Sequence, residues 1–404
     1  MKKKNHSAAV GFIFITLLID ITGWGIVIPV VPTLIQDLIH DSDISKASQY
    51  GGWLSLLYAL MQFIFAPVLG NLSDRYGRRP VLLFSLLGFS INFFLQAWAP
   101  TIFWLFMGRI FSGITGASIT AASAYIADIS DETNRSKNFG MIGAAFGLGF
   151  IIGPVIGGVL GQYGPRVPFV AAGILCLINF LYGVFILPES LSVENRRKFS
   201  WRRANPLGSL LQVRKHREIL NLMGAWFLVY VASHAVQTNW AYFTMYRFEW
   251  DERMVGISLG VMGGLTALVQ GYLIRKILPK VGNERGILYG IVAYTLGMIL
   301  FAFAGKPWMM FAVLGIYCLG GIAGPALQSV ITSKVPANEQ GDLQGALTSL
   351  VSLTSIIGPP LMTNVFYYFT HSEAPFIFPG APFFLGFVLM FISAIFVYIV
   401  LRKK

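Results

Sequence analysis

The chain has 404 residues, 55% hydrophobic, 14% aromatic and only 12% charged, with a formal net charge of +12. About half the usual ~25% of charged residues cannot clothe a water-facing surface, so the apolar surplus must face a bilayer. Two cysteines, Cys176 and Cys318, both inside apolar runs, exclude a disulfide framework and offer no metal-ligand spacing.

Apolar runs able to cross about 30 Å of hydrocarbon, each needing roughly 20 residues, recur along the whole chain. They fall at 8–32, 51–71, 79–98, 101–124, 138–161, 168–187, 219–243, 255–275, 287–304, 308–332, 343–368 and 380–401. Their continuous Leu/Ile/Phe-rich character predicts twelve transmembrane helices, because barrel strands would alternate around a polar lumen. The first run follows Met1-Lys2-Lys3-Lys4, as a signal peptide would, but Asp20 and two prolines interrupt it and no small-residue cleavage site follows. It is expected to be retained. An acid at membrane depth costs about 2.5–3.5 kcal/mol, which marks Asp20 as a proton or substrate site.

Between the second and third runs stands Gly70-Asn71-Leu72-Ser73-Asp74-Arg75-Tyr76-Gly77-Arg78-Arg79-Pro80. Gly70 and Gly77 permit close approach and turning, Asp74 can accept from a helix N-terminus, and Arg75, Arg78 and Arg79 can pair with acids or lipid phosphate. The fourth run holds Arg109, the basic residue clearly inside a span, which can keep Asp20 ionised or compete with a proton and a cationic substrate for it. The fifth carries a glycine run from Gly143 to Gly158, with Gly153-Pro154-x-x-Gly157-Gly158 at its end, suited to tight packing and bending.

Residues 188–218 form the one long polar stretch, with eight Lys and Arg, and divide six spans from six. A cytoplasmic linker beside anionic lipid accounts for it without nucleic acid. In the seventh run His234 lies beside Gln237 and Asn239, where its titration range suits either proton exchange or a hydrogen-bonded packing role. Gly140 and Gly345, Gly153 and Gly358, Pro154 and Pro359, and Gly77 and Gly282 share one offset of 205 residues. A six-helix repeat follows, with a substrate cavity near the bilayer midplane where the two repeats face each other. Of the 30 basic residues, 24 fall on the side of the two termini and 5 opposite, so both termini are expected in the cytoplasm. Trp24, Trp226 and Phe243 are candidates for stacking on a flat or cationic substrate. Trp53, Trp98, Trp104, Trp240, Trp250 and Trp308 read as an interfacial belt.

The Gly70–Pro80 pattern resembles the signature of the major facilitator superfamily, where it acts as a cytoplasmic gate that latches the outward-open state. The Gly153–Gly158 run resembles the antiporter motif of its drug exporters. Tyr58-Ala59-Leu60-Met61-Gln62, Gly108-Arg109-x-x-Ser112-Gly113-Ile114-Thr115-Gly116-Ala117, Pro325-Ala326-Leu327-Gln328 and Gln340-Gly341-x-Leu343-Gln344-Gly345 extend the resemblance to the tetracycline/proton antiporters. It implies efflux of a drug in exchange for protons, with Asp20, Gln62, Asp74 and Arg109 as functional positions. Three ionisable positions of that family are replaced, by Asn92, Thr266 and Tyr294. These departures count against tetracycline itself, which that family exports as a metal chelate, and leave Asp20 as the main proton carrier.

The expected fold is an all-α membrane protein of two six-helix bundles, residues 1–187 and 219–404, joined by the basic linker 188–218. Expected function is proton-coupled export of small amphipathic drugs from the bacterial cytoplasm across the inner membrane, as a monomer, without cofactor or metal. Proton coupling falls to Asp20, Arg109 and His234, substrate contact to Gln62, Asn92, Gln237, Asn239 and Gln328, and gating to the Gly70–Arg79 motif with Gly153 and Pro154. An importer of a sugar or peptide on the same scaffold is the rival reading, which would need no Gly-Pro-x-x-Gly-Gly run. No nucleophile–base pair or phosphate loop suggests an enzyme.

Overall fold

The computed structural model describes residues 2–116, 118–131, 134–199, 217–336 and 339–402. Among them there is no strand, and twelve helices are long and apolar enough to span a membrane. They are α1 (Val10–Ile39), α2 (Ile44–Tyr76), α3 (Arg78–Ala97), α4 (Ile102–Ile129), α5 (Asn138–Gly161), α6 (Val167–Ile186), α7 (Ile219–Phe248), α8 (Glu252–Val281), α9 (Asn283–Ala302), α10 (Pro307–Ser333), α11 (Leu343–Tyr368) and α12 (Ala381–Val400). The protein is a multi-pass membrane protein. Most of the basic linker, residues 200–216, lies outside the described residues.

α1 continues to Ile39, past Pro32, where the apolar run is bounded in sequence. Pro29 sits in the opening of a 3-10 turn, Ile28–Val30, and Pro32 in the first turn of Val31–Ile39, so neither removes a ladder hydrogen bond. α2 likewise begins before the Gly51-Gly52 pair that read as its boundary. A Cβ on Gly51 would lie 2.0 Å from the Tyr242 hydroxyl, and one on Gly52 1.9 Å from Thr363 Oγ1. Glycine is there for close approach, not for a turn.

The chain forms two compact units: residues 1–40, 57–206 and 251–260, and residues 41–56, 207–250 and 261–404. In the first, α1 packs along α5 and α6, and α3 along α6 and α4. A core cluster there gathers Phe12, Ile13, Leu17 and Ile21 of α1 with Leu69, Val81, Leu82, Tyr125 and Ile126. In the second, α7 packs on α12 and α11, and α9 on α12 and α10. Trp240, Phe243, Phe301 and Phe383 make its aromatic centre through edge-on contacts of 4.9–5.3 Å and a tilted one of 5.6 Å.

That centre corrects two expectations. Trp240 and Trp250 are buried, at 1% and 8% exposure, and are core rather than belt residues, whereas Trp53, Trp98, Trp104 and Trp308 are exposed. Phe243, enclosed by Phe248 and Phe383, has no face left for a substrate. Cys176 and Cys318 are free and buried, as their apolar settings suggested.

Candidate functional site

Within the first unit a cavity of about 170 Å³ opens among α1 to α5. Trp24 stands edge-on to Tyr58 and Phe89, at 5.6 and 5.7 Å, and Phe93 and Phe150 complete an aromatic wall. Asn92, Arg109 and Ser112 supply its polar side-chain groups beside the Tyr58 hydroxyl. Asn92 is 2% exposed and its Oδ1 has no hydrogen-bond partner. A flat amphipathic ring is the ligand such walls favour, with Arg109 as the cation and Asn92 as the neutral acceptor.

Asp20 lies in the same unit, 2% exposed, where its Oδ2 accepts a 2.6 Å hydrogen bond from Ser118 Oγ. Its Oδ1 has no hydrogen-bond partner. Ser118 begins the second of two pieces into which α4 is divided, Ile102–Thr115 and Ser118–Ile129. Gly116, with ψ 50°, leaves the helical region at that point. Gln62 Nε2 donates both to the Gly116 carbonyl, at 3.2 Å, and to Tyr58 Oη, at 3.1 Å. Gln62 thus ties the broken helix to a cavity wall, and Tyr58 is near enough to Asp20 and Arg109 to feel both charges.

The Gly70–Pro80 motif forms a compact ionic knot. Arg78 is 9% exposed; its guanidinium donates to Asp74 (2.5 Å), Ser73 Oγ (2.8 Å) and Asp128 of α4 (3.0 Å). Glu189, just past α6, accepts from the backbone N–H of Arg78 (2.8 Å) and Arg79 (3.3 Å), a carboxylate at a helix N-terminus as the dipole favours. Gly77 has φ 109°, and a Cβ there would strike Glu189, so this turn requires glycine. Arg79 donates to the Val184 carbonyl, Arg75 lies over the Tyr76 ring, and Gly70 faces Thr120 with room to spare. The knot therefore joins α2, α3, α4 and the segment after α6, and the Asp74 carbonyl also accepts from the Arg197 N–H.

On α5, Gly153 and Pro154 press on Gly25 of α1: a Cβ on Gly25 would lie 2.8 Å from Pro154 Cδ and 3.0 Å from Gly153 Cα. Further along, Gly158 and Gly161 seat Glu252, whose carboxylate accepts from Thr33 Oγ1 at 2.6 Å.

In the second unit His234 is 8% exposed, its Nδ1 has no hydrogen-bond partner, and its ring fills the notch over Gly358 of α11. Gln237 is exposed and donates to Ser233; Asn239 is fully buried with its Nδ2 on Thr238. Gln328 of α10 pairs with Gln344 of α11. Thr266 donates to the Cys318 sulfur at 3.6 Å, and Tyr294 leans on Tyr317 while covering Gly320. The structure thus brings Asn92 and Arg109 into one cavity and joins Asp20 and Gln62 to the break in α4. In the second unit His234 is set against Gly358 and Gln328 against Gln344, while Gln237 and Asn239 bond to neighbours on their own helix.

Residues 13–359 match the family model of the Major Facilitator Superfamily. The chain is a member of that superfamily. This facilitator is 43% identical over 351 residues to the class C tetracycline resistance protein of Escherichia coli, covering 87% of this chain and 88% of that one. It is 39% identical to the class B protein of the same organism, over 90% and 89% of the two chains. A bacterial homologue of the human lysosomal transporter Spinster, solved inward-facing and unoccupied, shares the fold with a TM-score of 0.76 over 98% and 97% of the chains, at 16% identity. The protein is a transporter, not an enzyme, and groups with the tetracycline resistance proteins.

Sequence reasoning missed Ser118, Asp128, Glu189 and the Thr33–Glu252 pair. Glu189 follows a proline directly after an apolar run, a detectable sign of a helix-end acid. Ser118 carried no signal beyond its place after Gly116-Ala117.

Proposed function

We propose that this facilitator exports small amphipathic drugs, of the kind its resistance-protein relatives are named for, in exchange for protons across the bacterial inner membrane. The observation that carries this reading is Asp20: a carboxylate buried at membrane depth, held by Ser118, in the unit that contains an aromatic cavity with Arg109. A purely structural acid at that depth would need a matching reward in stability, and one neutral hydroxyl supplies little of it. Both termini lie in the cytoplasm in this reading, because 24 of the 30 basic residues belong to that side.

Protonation of Asp20 from the outside favours the inward-open state, substrate entering the cavity drives the proton off, and the chain returns outward-open. His234 in its apolar notch is a second proton site, in the other repeat. Through the knot around Arg78, the inner ends of α2, α3, α4 and α6 move as one body. Each charge carried is worth about 2.3 kcal/mol per 100 mV, enough to drive uphill export. In everted vesicles, Asp20→Asn should abolish proton-gradient-dependent tetracycline uptake. Uptake unchanged in that variant would sink the mechanism, and native activity confined to non-chelating drugs would assign the Asn92, Thr266 and Tyr294 replacements to substrate choice.

A further inference from the structure

We propose that Ser118 is a positioning residue through which the protonation state of Asp20 is transmitted to the inner piece of α4, across the break from the piece that carries Arg109 into the cavity. The inference rests on the reading of Asp20 as the proton carrier. Three observations support it. Ser118 is 1% exposed and makes the one hydrogen bond to an otherwise unsatisfied buried carboxylate, at 2.6 Å. It opens the inner piece of α4, whose first N–H groups have no partner within the helix. The end of the outer piece is held separately: Gln62 takes the Gly116 carbonyl while contacting Tyr58 in the cavity wall. The two pieces thus have different anchors, Asp20 for the inner and Gln62 for the outer, with Arg109 on the outer one.

Chemistry then separates the two states. An ionised Asp20 accepts from Ser118 and attracts the positive end of the inner piece. A protonated Asp20 loses that attraction and becomes a donor itself, so the inner piece is released while Gln62 still holds the outer one. Tyr58 from α2 and Cys176 from α6 are titratable side chains close to Asp20, and Arg109 from α4 lies within reach of Tyr58. α5 faces this stretch of α1 through Gly149 and α3 through Phe93, neither of which titrates.

The test needs no substrate. Deuterium uptake in α4 of the full-length protein in nanodiscs, corrected for intrinsic exchange, is followed from pH 5 to 9. The native chain should show a pH midpoint that Asp20→Asn abolishes. Ser118→Ala removes a hydrogen bond to a charged group, so its midpoint should rise by about one to two pH units, while Ser118→Thr, which keeps the hydroxyl, should stay at the native value. A midpoint in Ser118→Ala that rises by less than one unit, or one that Ser118→Thr fails to restore, overturns the proposal. Uptake of tetracycline and of non-chelating drugs by the same variants is measured in parallel. Uptake absent for tetracycline and for non-chelating drugs alike, with the midpoint moving as expected, would refute the drug-export reading and leave this coupling standing.

Discussion

Eight of the positions from 140 to 161 on α5 are glycines that read alike in sequence, yet they divide into two kinds, and the division can be measured. A Cβ on Gly157 would lie 1.9 Å from the Ile26 carbonyl oxygen and 2.7 Å from its carbon, about 1.5 Å short of ordinary contact. Both are backbone atoms of α1, so no rotamer relieves the clash and the two helices must part. Overpacking of that kind costs about 1–3 kcal/mol, against a gain of up to ~1 kcal/mol from replacing a helical glycine by alanine. At Gly147 a Cβ meets nothing within 4 Å, so only the gain applies. Gly147→Ala should therefore be more stable than Gly157→Ala by about 1–3 kcal/mol, both substitutions sharing the propensity gain. Thermal unfolding of the purified full-length variants in one detergent reads this directly, with Gly147→Ala at or above native and Gly157→Ala several degrees below. Equal melting temperatures would refute the claim that the glycine run exists to seat α1, and would favour a role in bending alone.

Three further outcomes follow from the ionic and steric contacts. Asp128 accepts from both Arg78 and Ser190, whereas Asp74 is the more exposed acid, so Asp128→Asn should lower the melting temperature more than Asp74→Asn, by a difference of about 1 kcal/mol. Gly77→Ala meets both a positive φ and the Glu189 carboxylate, whereas its repeat counterpart Gly282, φ 79°, has open space. Gly282→Ala should cost about 1–2 kcal/mol and Gly77→Ala clearly more, with Glu189→Ala narrowing the gap in a double-mutant cycle. Thr33→Val removes the donor to Glu252, so hydrogen exchange of residues 251–260 should quicken several-fold, the loss of about 1 kcal/mol; unchanged exchange would mean that the glycine seat alone holds the segment.

Much of the fold was legible because a bilayer leaves so few options. Charge scarcity and apolar runs specify twelve helices without reference to packing. The candidate positions stood out in proportion to their physical cost: Asp20 and Arg109 draw the eye because a charge at membrane depth is rarely idle. Burial hid the rest. Trp240 and Trp250 look like belt residues in sequence, since an aromatic near a helix end reads the same whether it meets headgroups or Phe301. The apolar run of α1 is bounded in sequence at its second proline, and only the places of Pro29 and Pro32 in opening turns show that the helix runs on to Ile39.

Sequence alone determined the solvent, the number of spans, the motif at the α2–α3 turn and the buried acid, because each is a property of local composition or spacing. Tertiary structure decided the partners: Ser118 for Asp20, Asp128 and Glu189 for the arginine motif, His234 for the Gly358 notch. Each joins residues 50 to more than 120 positions apart, and a hydrogen bond between distant residues leaves no periodicity behind. Only the packing of the helices brings such pairs within the 3 Å at which a proton or a charge is felt.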